Sequence, residues 1–476
     1  MPHGHLRERQ TGCHSPQGQW LSCDPTSCLN CGGGRAKRDN TCLLCGEAFQ
    51  LSMRPCHNTV AEALLVRQNQ HVSRHTTTPM NRTFLYCGLA LLVAIGASTA
   101  RGQSGGPEQR PPDFKPTPEQ HPMPKSLLVV KRTDIKKAKY PAIDFHFHGR
   151  ALKTADDYKN LIAVMDQTGV GAVMNMDGGM YDTLDSNLQT GAPYSDRVVH
   201  FARPVWEGIN DPGWAQKTAA ELERAFKAGA QGLKINKVLG LELKNPDGTY
   251  IHCDDPRMDP IWAMCARYKK PVMIHVSDPI ARWEPIGPDN ERYDAGLWRS
   301  DPSGNYHGTR QPHYTEIWKH QENMLAKHPN TRFVLAHIAN MAEDLQRAAN
   351  LLDRYPNADV ELSARFQDLG RQPYTARKWL IKYQDRALFG TDGSPGRDPD
   401  QFWRPHWRFL ETDDEYFDHP AQMLSPLGAP LQGRWRIYGV FLPDEVLRKI
   451  YYQNALRYLP SVREPIERQL AQSPRS

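Results

Sequence analysis

Short apolar runs alternate with amphipathic stretches from about residue 140 to residue 460. The apolar runs are Ala142–His148, Gly171–Asp177, Val198–Trp206, Gly232–Asn236, Pro271–Val276, Arg332–Ile338, Ala358–Ala364 and Ala387–Thr391. Their length and β-branched content predict buried strands. The stretches between them predict helices at Ala155–Gln167, Pro212–Ala228, Pro260–Tyr268, Thr315–His328, Ala342–Arg354, Tyr374–Tyr383 and Pro443–Arg457.

Strands that alternate with helices of 10–15 residues imply parallel βα units. Eight such units predict an α/β protein with a (β/α)8 TIM barrel, whose active site forms at the carboxyl ends of the strands. An open, doubly wound sheet is the competing fold, but no Gly-x-Gly-x-x-Gly follows the first strand. We expect the long insertions Asp278–His313 and Pro395–Gly439, both rich in Trp, to be loops that shape the pocket or form surface contacts.

The residues ahead of the barrel divide into three parts. Residues 1–79 form an irregular leader in which Cys28, Cys31, Cys42 and Cys45 have the spacing of a zinc ribbon. A second segment, residues 80–102, has the layout of a signal peptide that starts at Met80. A signal peptide acts at the N-terminus, so we expect a start site called too early, and a membrane anchor or a true zinc ribbon are the alternatives.

Residues 103–139 are rich in Pro, Gln and Lys and predict an extended linker, followed by the barrel at 140–460 and a tail at 461–476. These assignments imply an exported protein, periplasmic or extracellular, without stable membrane contact after signal cleavage. A homo-oligomer stays open.

The charge and cysteine content of the barrel region argue against a nucleic-acid-binding protein and against a disulfide-stabilised one. The net charge is +6, but residues 1–79 hold eight Lys/Arg against five Asp/Glu, and no dense basic run follows. We therefore expect a small-molecule substrate and no nucleic-acid partner. Only Cys253 and Cys265 lie beyond residue 87, so the barrel has no disulfide framework.

Ionisable residues end several of the predicted strands. His146 and His148 end the first, His275 the fifth, His337 the sixth and Asp392 the eighth. The carboxyl ends of barrel strands meet at one rim, and burying five such groups there is costly unless a cation compensates. Three imidazoles and a carboxylate suit a divalent metal, zinc above all, with an open position for water.

This set of residues resembles the metal-dependent amidohydrolase superfamily, and within it the branch of aminocarboxymuconate-semialdehyde decarboxylase. The likeness runs from about Tyr140 to Leu459. It includes His328-Pro-Asn, Phe333-Val-Leu-Ala-His337, Leu369-Gly-Arg-Gln-Pro373, Phe389-Gly-Thr-Asp392, Leu442-Pro-Asp-Glu and Asn454-Ala-Leu. The resemblance implies one metal ion on His146, His148 and His275, with Asp392 as a further ligand or general base and His337 as a second catalytic group.

Other residues at the strand ends have open roles. Lys234 on strand four, if carboxylated, bridges two metals as in other branches of the superfamily; otherwise it contacts substrate or forms an ion pair. Asp177, Trp206 and Arg365 follow strands two, three and seven. They are candidates for substrate binding, and Arg365 has the geometry to hold a carboxylate in two hydrogen bonds.

The sequence favours a hydrolase in which metal-activated water cleaves an amide, ester or lactone of a small molecule, with Asp392 taking the proton. The alternative within enzymes is a metal-dependent, non-oxidative decarboxylase, a carbon–carbon lyase, of an aromatic or unsaturated acid. A non-catalytic, exported binding protein is the alternative outside enzymes.

Overall fold

The computed structural model describes residues 126–285, 287, 289–292, 304–420, 433 and 435–472. The predicted leader, its cysteine pairs, the segment that starts at Met80 and most of the predicted linker lie outside the described residues. None of the helices within the described ranges is long and apolar enough to cross a membrane.

Eight strands appear where the apolar runs predict them. Their bounds are β1 Ala142–Phe147, β2 Val170–Asn175, β3 Val198–His200, β4 Leu233–Ile235, β5 Val272–Ile274, β6 Phe333–Leu335, β7 Ala358–Glu361 and β8 Ala387–Leu388. Every residue of the eight strands is buried, as expected of parallel strands that are covered on both faces.

The strands form a closed barrel. Parallel pairing joins β1 to β3 in one ladder and β4 to β8 in another. A parallel bridge between Ala202 and Leu233 connects the two ladders at one side. At the other side, Phe145 N–H donates to the Phe389 carbonyl (2.9 Å) and Asp392 N–H donates to the His146 carbonyl (2.8 Å). The (β/α)8 barrel is confirmed.

Helices cover the outside of the barrel. The longer ones are Ala155–Thr168, Tyr181–Gly191, Trp214–Ala228, Asp259–Arg267, Tyr314–Lys327, Leu345–Arg354, Pro373–Lys382, Pro399–Glu411 and Arg463–Gln472, with Asp444–Arg448 continuing through a π-turn into Asn454–Leu456. Local sequence fixes their ends. Thr154 caps the first of them through a capping box with Asp157, and Gly169, at φ 85°, ends it.

One prediction about the C-terminal region was wrong. We expected Pro395–Gly439 to be a loop, yet Pro399–Glu411 is a helix despite Pro405 in its interior. Pro399 marks its first turn, where proline is favoured, and the apolar side chains opposite Arg404 and Arg408 are buried. The predicted tail also contains a helix, Arg463–Gln472, whose Ile466 is fully buried.

Candidate active site

The five ionisable residues at the strand ends lie together at the carboxyl side of the barrel. The His148 Nε2 atom is 3.0 Å and the His146 Nε2 atom 3.4 Å from Asp392 Oδ1. The ring centres of His275 and His337 are 4.4 Å apart, and those of His146 and His337 are 5.1 Å apart. One barrel rim thus holds all four histidines and the carboxylate.

Hydrogen bonds fix the tautomers of the two β1 histidines. His146 Nδ1 lies 3.0 Å from Glu361 Oε1, and His148 Nδ1 lies 2.7 Å from Asp177 Oδ2. A carboxylate on Nδ1 keeps the proton there and leaves Nε2 to accept, which is the usual arrangement behind a metal-ligating histidine. Both Nε2 atoms face Asp392.

Two further observations fit a cation at this rim. The buried Nε2 atom of His275 has no hydrogen-bond partner among the described residues. Burial favours the neutral form of His148, but the hydrogen bonds to Asp177 and Asp392 outweigh burial and raise its pKa. The carboxylates of Asp177 and Asp392 therefore favour positive charge at His148, and His275 has an unpartnered ring nitrogen. This donor set fits a divalent metal ion.

Glu361, at the end of β7, is the buried residue that organises the site, and it was not predicted from the sequence. Its Oε1 atom accepts from His337 N–H (2.8 Å) and from Ser363 Oγ (2.8 Å) besides contacting His146, and its Oε2 atom accepts from Ser363 N–H (2.6 Å). Burial alone would raise the pKa of Glu361, but the charges and hydrogen bonds of His146 and His337 lower it to about 2. The available signal was a carboxylate in an apolar run.

His337 sits on a strained turn. His337, Ile338, Ala339 and Asn340 all have φ between 54° and 58°, a region that costs about 1–2 kcal/mol for each residue with a side chain. The His337 Nδ1 atom lies 2.9 Å from the Ser363 carbonyl, which assigns the proton to Nδ1 and leaves Nε2 as an acceptor. Burial, followed by the charge of Arg365, lowers the pKa of His337 to about 3. A neutral imidazole is thereby held at the rim.

A family profile described as "Amidohydrolase" matches residues 120–460. The chain belongs to the amidohydrolase family. It is therefore an enzyme of a metal-dependent family. A comparison with curated proteins gave no match.

Solved structures with a similar fold include three decarboxylases. The amidohydrolase is 17% identical to 2,6-dihydroxybenzoate decarboxylase from Rhizobium, with 67% of this chain and 99% of that chain covered and a TM-score of 0.41. It is 16% identical to a dihydroxybenzoic acid decarboxylase from Polaromonas with bound manganese and 2-nitroresorcinol (68% and 99% covered, TM-score 0.40). It is 15% identical to 5-carboxyvanillate decarboxylase from Sphingomonas paucimobilis (68% and 99%, TM-score 0.38).

Lys234 lies inside the amidohydrolase site. Its Nζ atom is 3.0 Å from His146 Nε2, and the side chain is almost fully buried. Burial lowers the pKa of Lys234 to about 8. No hydrogen bond joins this ammonium group to a carboxylate within the described part of the chain, which is unusual for a buried lysine.

The three candidates for substrate binding have different surroundings. Asp177 lies behind His148 and also pairs with Arg203 (2.8 Å) and Arg150 (3.2 Å). Arg365 is buried, donates to the Asn340 Oδ1 atom (2.5 Å) and lies near Asp368. Trp206 is half-buried and stacks on Trp214, with ring centres 5.8 Å apart. Thus Asp177 orients a histidine, and Arg365 supports the strained turn through Asn340.

Proposed function

We propose that this amidohydrolase removes a carboxylate, as carbon dioxide, from a small aromatic or unsaturated acid. One divalent ion, zinc in the first instance, is held by His146, His148, His275 and Asp392. When bound, the ion acts as a Lewis acid that stabilises negative charge on a substrate oxygen. We propose a site with one metal ion. The alternative is a site with two ions bridged by a carboxylated Lys234.

The observation that carries the proposal is the charge of the pocket. A divalent ion and the Lys234 ammonium bring three positive charges, against one each from Asp392 and Glu361. Asp177 adds a third negative charge but has two arginine partners. The loaded site is left positive, and Lys234 has no carboxylate partner of its own, so an anionic substrate group compensates it.

The residues around the substrate carboxylate have different roles in decarboxylation. Lys234 binds the carboxylate that departs. The carbon–carbon bond breaks, carbon dioxide leaves, and the electron pair stays on the substrate carbon, which then takes a proton. Asp392 manages this proton by relaying it from solvent, to which 35% of its side chain is exposed. His337, neutral and fixed by Ser363, orients the substrate through Nε2.

Hydrolysis is the second candidate, and one observation favours it. Burial would raise the pKa of Asp392, but His146, His148 and His337 outweigh burial and hold it well below its usual range. An ionised carboxylate beside the ion suits a base that takes a proton from attacking water.

Product analysis separates the two reactions. Metal-loaded protein is incubated in H₂¹⁸O, and separately in D₂O, with hydroxybenzoates, unsaturated keto acids and carboxylated lactones. We expect carbon dioxide release, one deuterium on the former carboxylated carbon and no ¹⁸O in the organic product. Incorporation of ¹⁸O without carbon dioxide would replace the proposal with hydrolysis, and bound metal without any turnover would favour a binding protein.

A lysine variant tests the anion contact. Lys234→Met should lower kcat/KM for the carboxylated substrate at least 100-fold and keep the metal content. Lys270→Met is the matched control, because this half-buried lysine bonds to Gln231 and lies away from the five rim residues. A loss of half of the metal in Lys234→Met would instead support the bridging role.

We also propose that the protein is exported through the segment that starts at Met80. The support is the run of apolar residues after Arg82 and the small residues Ala97–Ala100. Mass spectrometry of the native N-terminus tests this: a mature chain that begins near residue 100 is expected, and a retained Cys-rich leader would contradict it.

A further inference from the structure

A second cluster of metal-ligating side chains shares no residue with the site at the barrel rim. His252 lies in the connection between β4 and β5, and Glu316 and His320 lie on the helix Tyr314–Lys327. Residues four apart on a helix project from the same face. One ligand atom from each of the three lies within 4.8 Å of the other two.

The distances within this cluster suit a shared ion. His252 Nε2 is 3.8 Å from Glu316 Oε1, and the rings of His252 and His320 lie face to face with centres 3.8 Å apart. Two ligand atoms of a tetrahedral zinc ion are about 3.4 Å apart, given bonds of about 2.0–2.1 Å. Because the two rings are nearly parallel, with 16° between their planes, one of them would have to turn for both imidazoles to direct a lone pair at the same ion.

His320 is oriented as metal-ligating histidines are. Its Nδ1 atom lies 2.7 Å from Asp254 Oδ1, and Asn323 donates to the other oxygen of this carboxylate (2.9 Å). The carboxylate holds the proton on Nδ1, so Nε2 is left with a lone pair. Asp254 is thus a supporting residue and not a ligand.

The position of His252 is not explained by a simple ion pair between Asp254 and His320. An Asp254–His320 salt bridge would need no second imidazole. Yet His252 is held by packing: its buried Nδ1 atom has no hydrogen-bond partner in the described part of the chain, and its Nε2 atom is 3.8 Å from Glu316 Oε1, beyond hydrogen-bond distance. Gly240 makes room for this ring, because a β-carbon there would lie 3.1 Å from the same Nδ1 atom. Neither nitrogen of His252 is hydrogen-bonded to the described residues, so a proton on Nδ1 would leave the Nε2 lone pair free beside Glu316.

We propose that His252, Glu316 and His320 bind a second divalent ion with the preferences of zinc, and that water completes its coordination. The site is structural. It fastens the β4–β5 connection to the helix that follows the long insertion after β5. Its side chains are partly exposed, with 11%, 54% and 28% of their surface open for His252, Glu316 and His320, so an ion can enter from solvent.

Metal stoichiometry tests the site. Untagged full-length protein is stripped with a chelator, dialysed against micromolar free Zn²⁺ and assayed for zinc per chain. Glu316→Gln and His320→Gln should each bind one ion fewer than the wild type. His313→Asn is the matched control, because this exposed histidine is one turn away and asparagine keeps its role as a helix cap. Zinc bound at the barrel rim or by the N-terminal cysteines contributes equally to the wild type and the variants. The difference in zinc per chain therefore reports only on this cluster.

A thermal measurement gives a readout that does not depend on activity. Zinc in excess should raise the Tm of the wild type and of His313→Asn more than that of Glu316→Gln. Turnover by the rim site should stay unchanged in Glu316→Gln. Equal zinc content in wild type and both cluster variants, with each variant folded by circular dichroism, would overturn the proposal.

Discussion

Glu361 shows how one buried carboxylate sets the chemistry of several neighbours. It receives hydrogen bonds from the backbone of His337 and Ser363 and from the Ser363 hydroxyl, and it contacts the His146 ring. The contact with His146 fixes the tautomer of that ring, the bond from His337 fixes the backbone at the start of the strained turn, and the bonds from Ser363 fix the chain after β7. A charged group buried this deeply is tolerated only because its oxygens are fully engaged.

Replacement of Glu361 by glutamine should therefore damage the site out of proportion to the small change in shape. The amide nitrogen cannot accept a hydrogen bond, so one of the present donors loses its partner. We expect metal affinity to fall about 10–100-fold, activity to fall at least as much, and the free energy of unfolding to drop by about 1–3 kcal/mol. Isothermal titration with Zn²⁺ and urea unfolding measure these effects.

Glu411→Gln is the matched control for that experiment. Glu411 is a half-buried carboxylate that accepts from Tyr451 and from the Lys139 backbone and does not contact the rim residues. Metal affinity should be the same as in the wild type. If Glu361→Gln also keeps full affinity and activity, Glu361 has no orienting role.

The rim residues differ in how readily they can be predicted from the sequence. His146, His148, His275, His337 and Asp392 each end an apolar run, so topology alone predicted that they meet. Glu361 and Asp144 lie within such runs and were not recognised, because a carboxylate inside a strand becomes meaningful only when its donors are known. Those donors lie far along the chain: Glu361 contacts His146, 215 residues away.

At the scale of elements, the carboxyl ends of β5 to β8 share a left-handed backbone turn. Positive φ occurs at Ser277, from His337 to Asn340, at Ala364 and at Asp392. Each turn directs the chain away from the barrel at the position where a side chain must face the rim. Asn340 stabilises the longest one by donating to the Val276 carbonyl (2.7 Å), so strain at the site is offset by contacts around it.

Asp144 on β1 connects three elements at the place where the barrel closes. Its carboxylate accepts from the Thr391 N–H (3.0 Å) and hydroxyl (2.5 Å), and from the Trp403 indole (2.9 Å) on the helix Pro399–Glu411. Thr391 directly precedes Asp392. Asp144 therefore holds both the closing strand and the helix that we predicted to be a loop.

Asp144→Asn should weaken this closure. All the groups around the carboxylate are donors, so an amide NH₂ would face either the indole N–H or the backbone N–H without an acceptor. We expect the free energy of unfolding to fall by about 2–3 kcal/mol. Trp403→Phe removes one donor and little volume, and should cost about 1 kcal/mol. Urea unfolding measures both, and an Asp144→Asn protein as stable as the wild type would contradict the assignment.

The spacing of apolar residues predicted the strands and most of the helices. Strands of this barrel are buried on both faces and read as continuous apolar runs, whereas helices are buried on one face and read as amphipathic stretches. The spacing failed for Pro399–Glu411 because Pro405 lies in the interior of this helix, although Asp400, Arg404, Arg408 and Glu411 recur on one face at helical spacing. The packing of Phe402, Trp403 and Trp407 against the barrel outweighs the unfavourable proline.

At the scale of the whole molecule, a chain of buried hydrogen bonds links the outer helix Ala155–Thr168 to the rim. Asn175 Oδ1 accepts from Gly149 N–H (2.8 Å) and Asp177 N–H (2.9 Å), so its amide nitrogen must donate to His200 Nδ1 (3.1 Å). His200 then carries its proton on Nε2, 3.3 Å from the Tyr158 hydroxyl. The chain works only while His200 is neutral.

This requirement predicts how stability depends on pH. Burial lowers the pKa of His200 from 6.5 to about 4, so between these values the unfolded chain binds a proton that the folded chain does not. The stabilisation is complete above pH 6.5 and is lost as the pH falls towards 4, up to about 3 kcal/mol for this residue. Urea unfolding from pH 7 to 4.5 measures it, with chelator present so that metal release does not contribute. His200→Gln should be less stable at pH 7 but lose less on acidification, whereas an unchanged slope would mean that His200 is not held neutral.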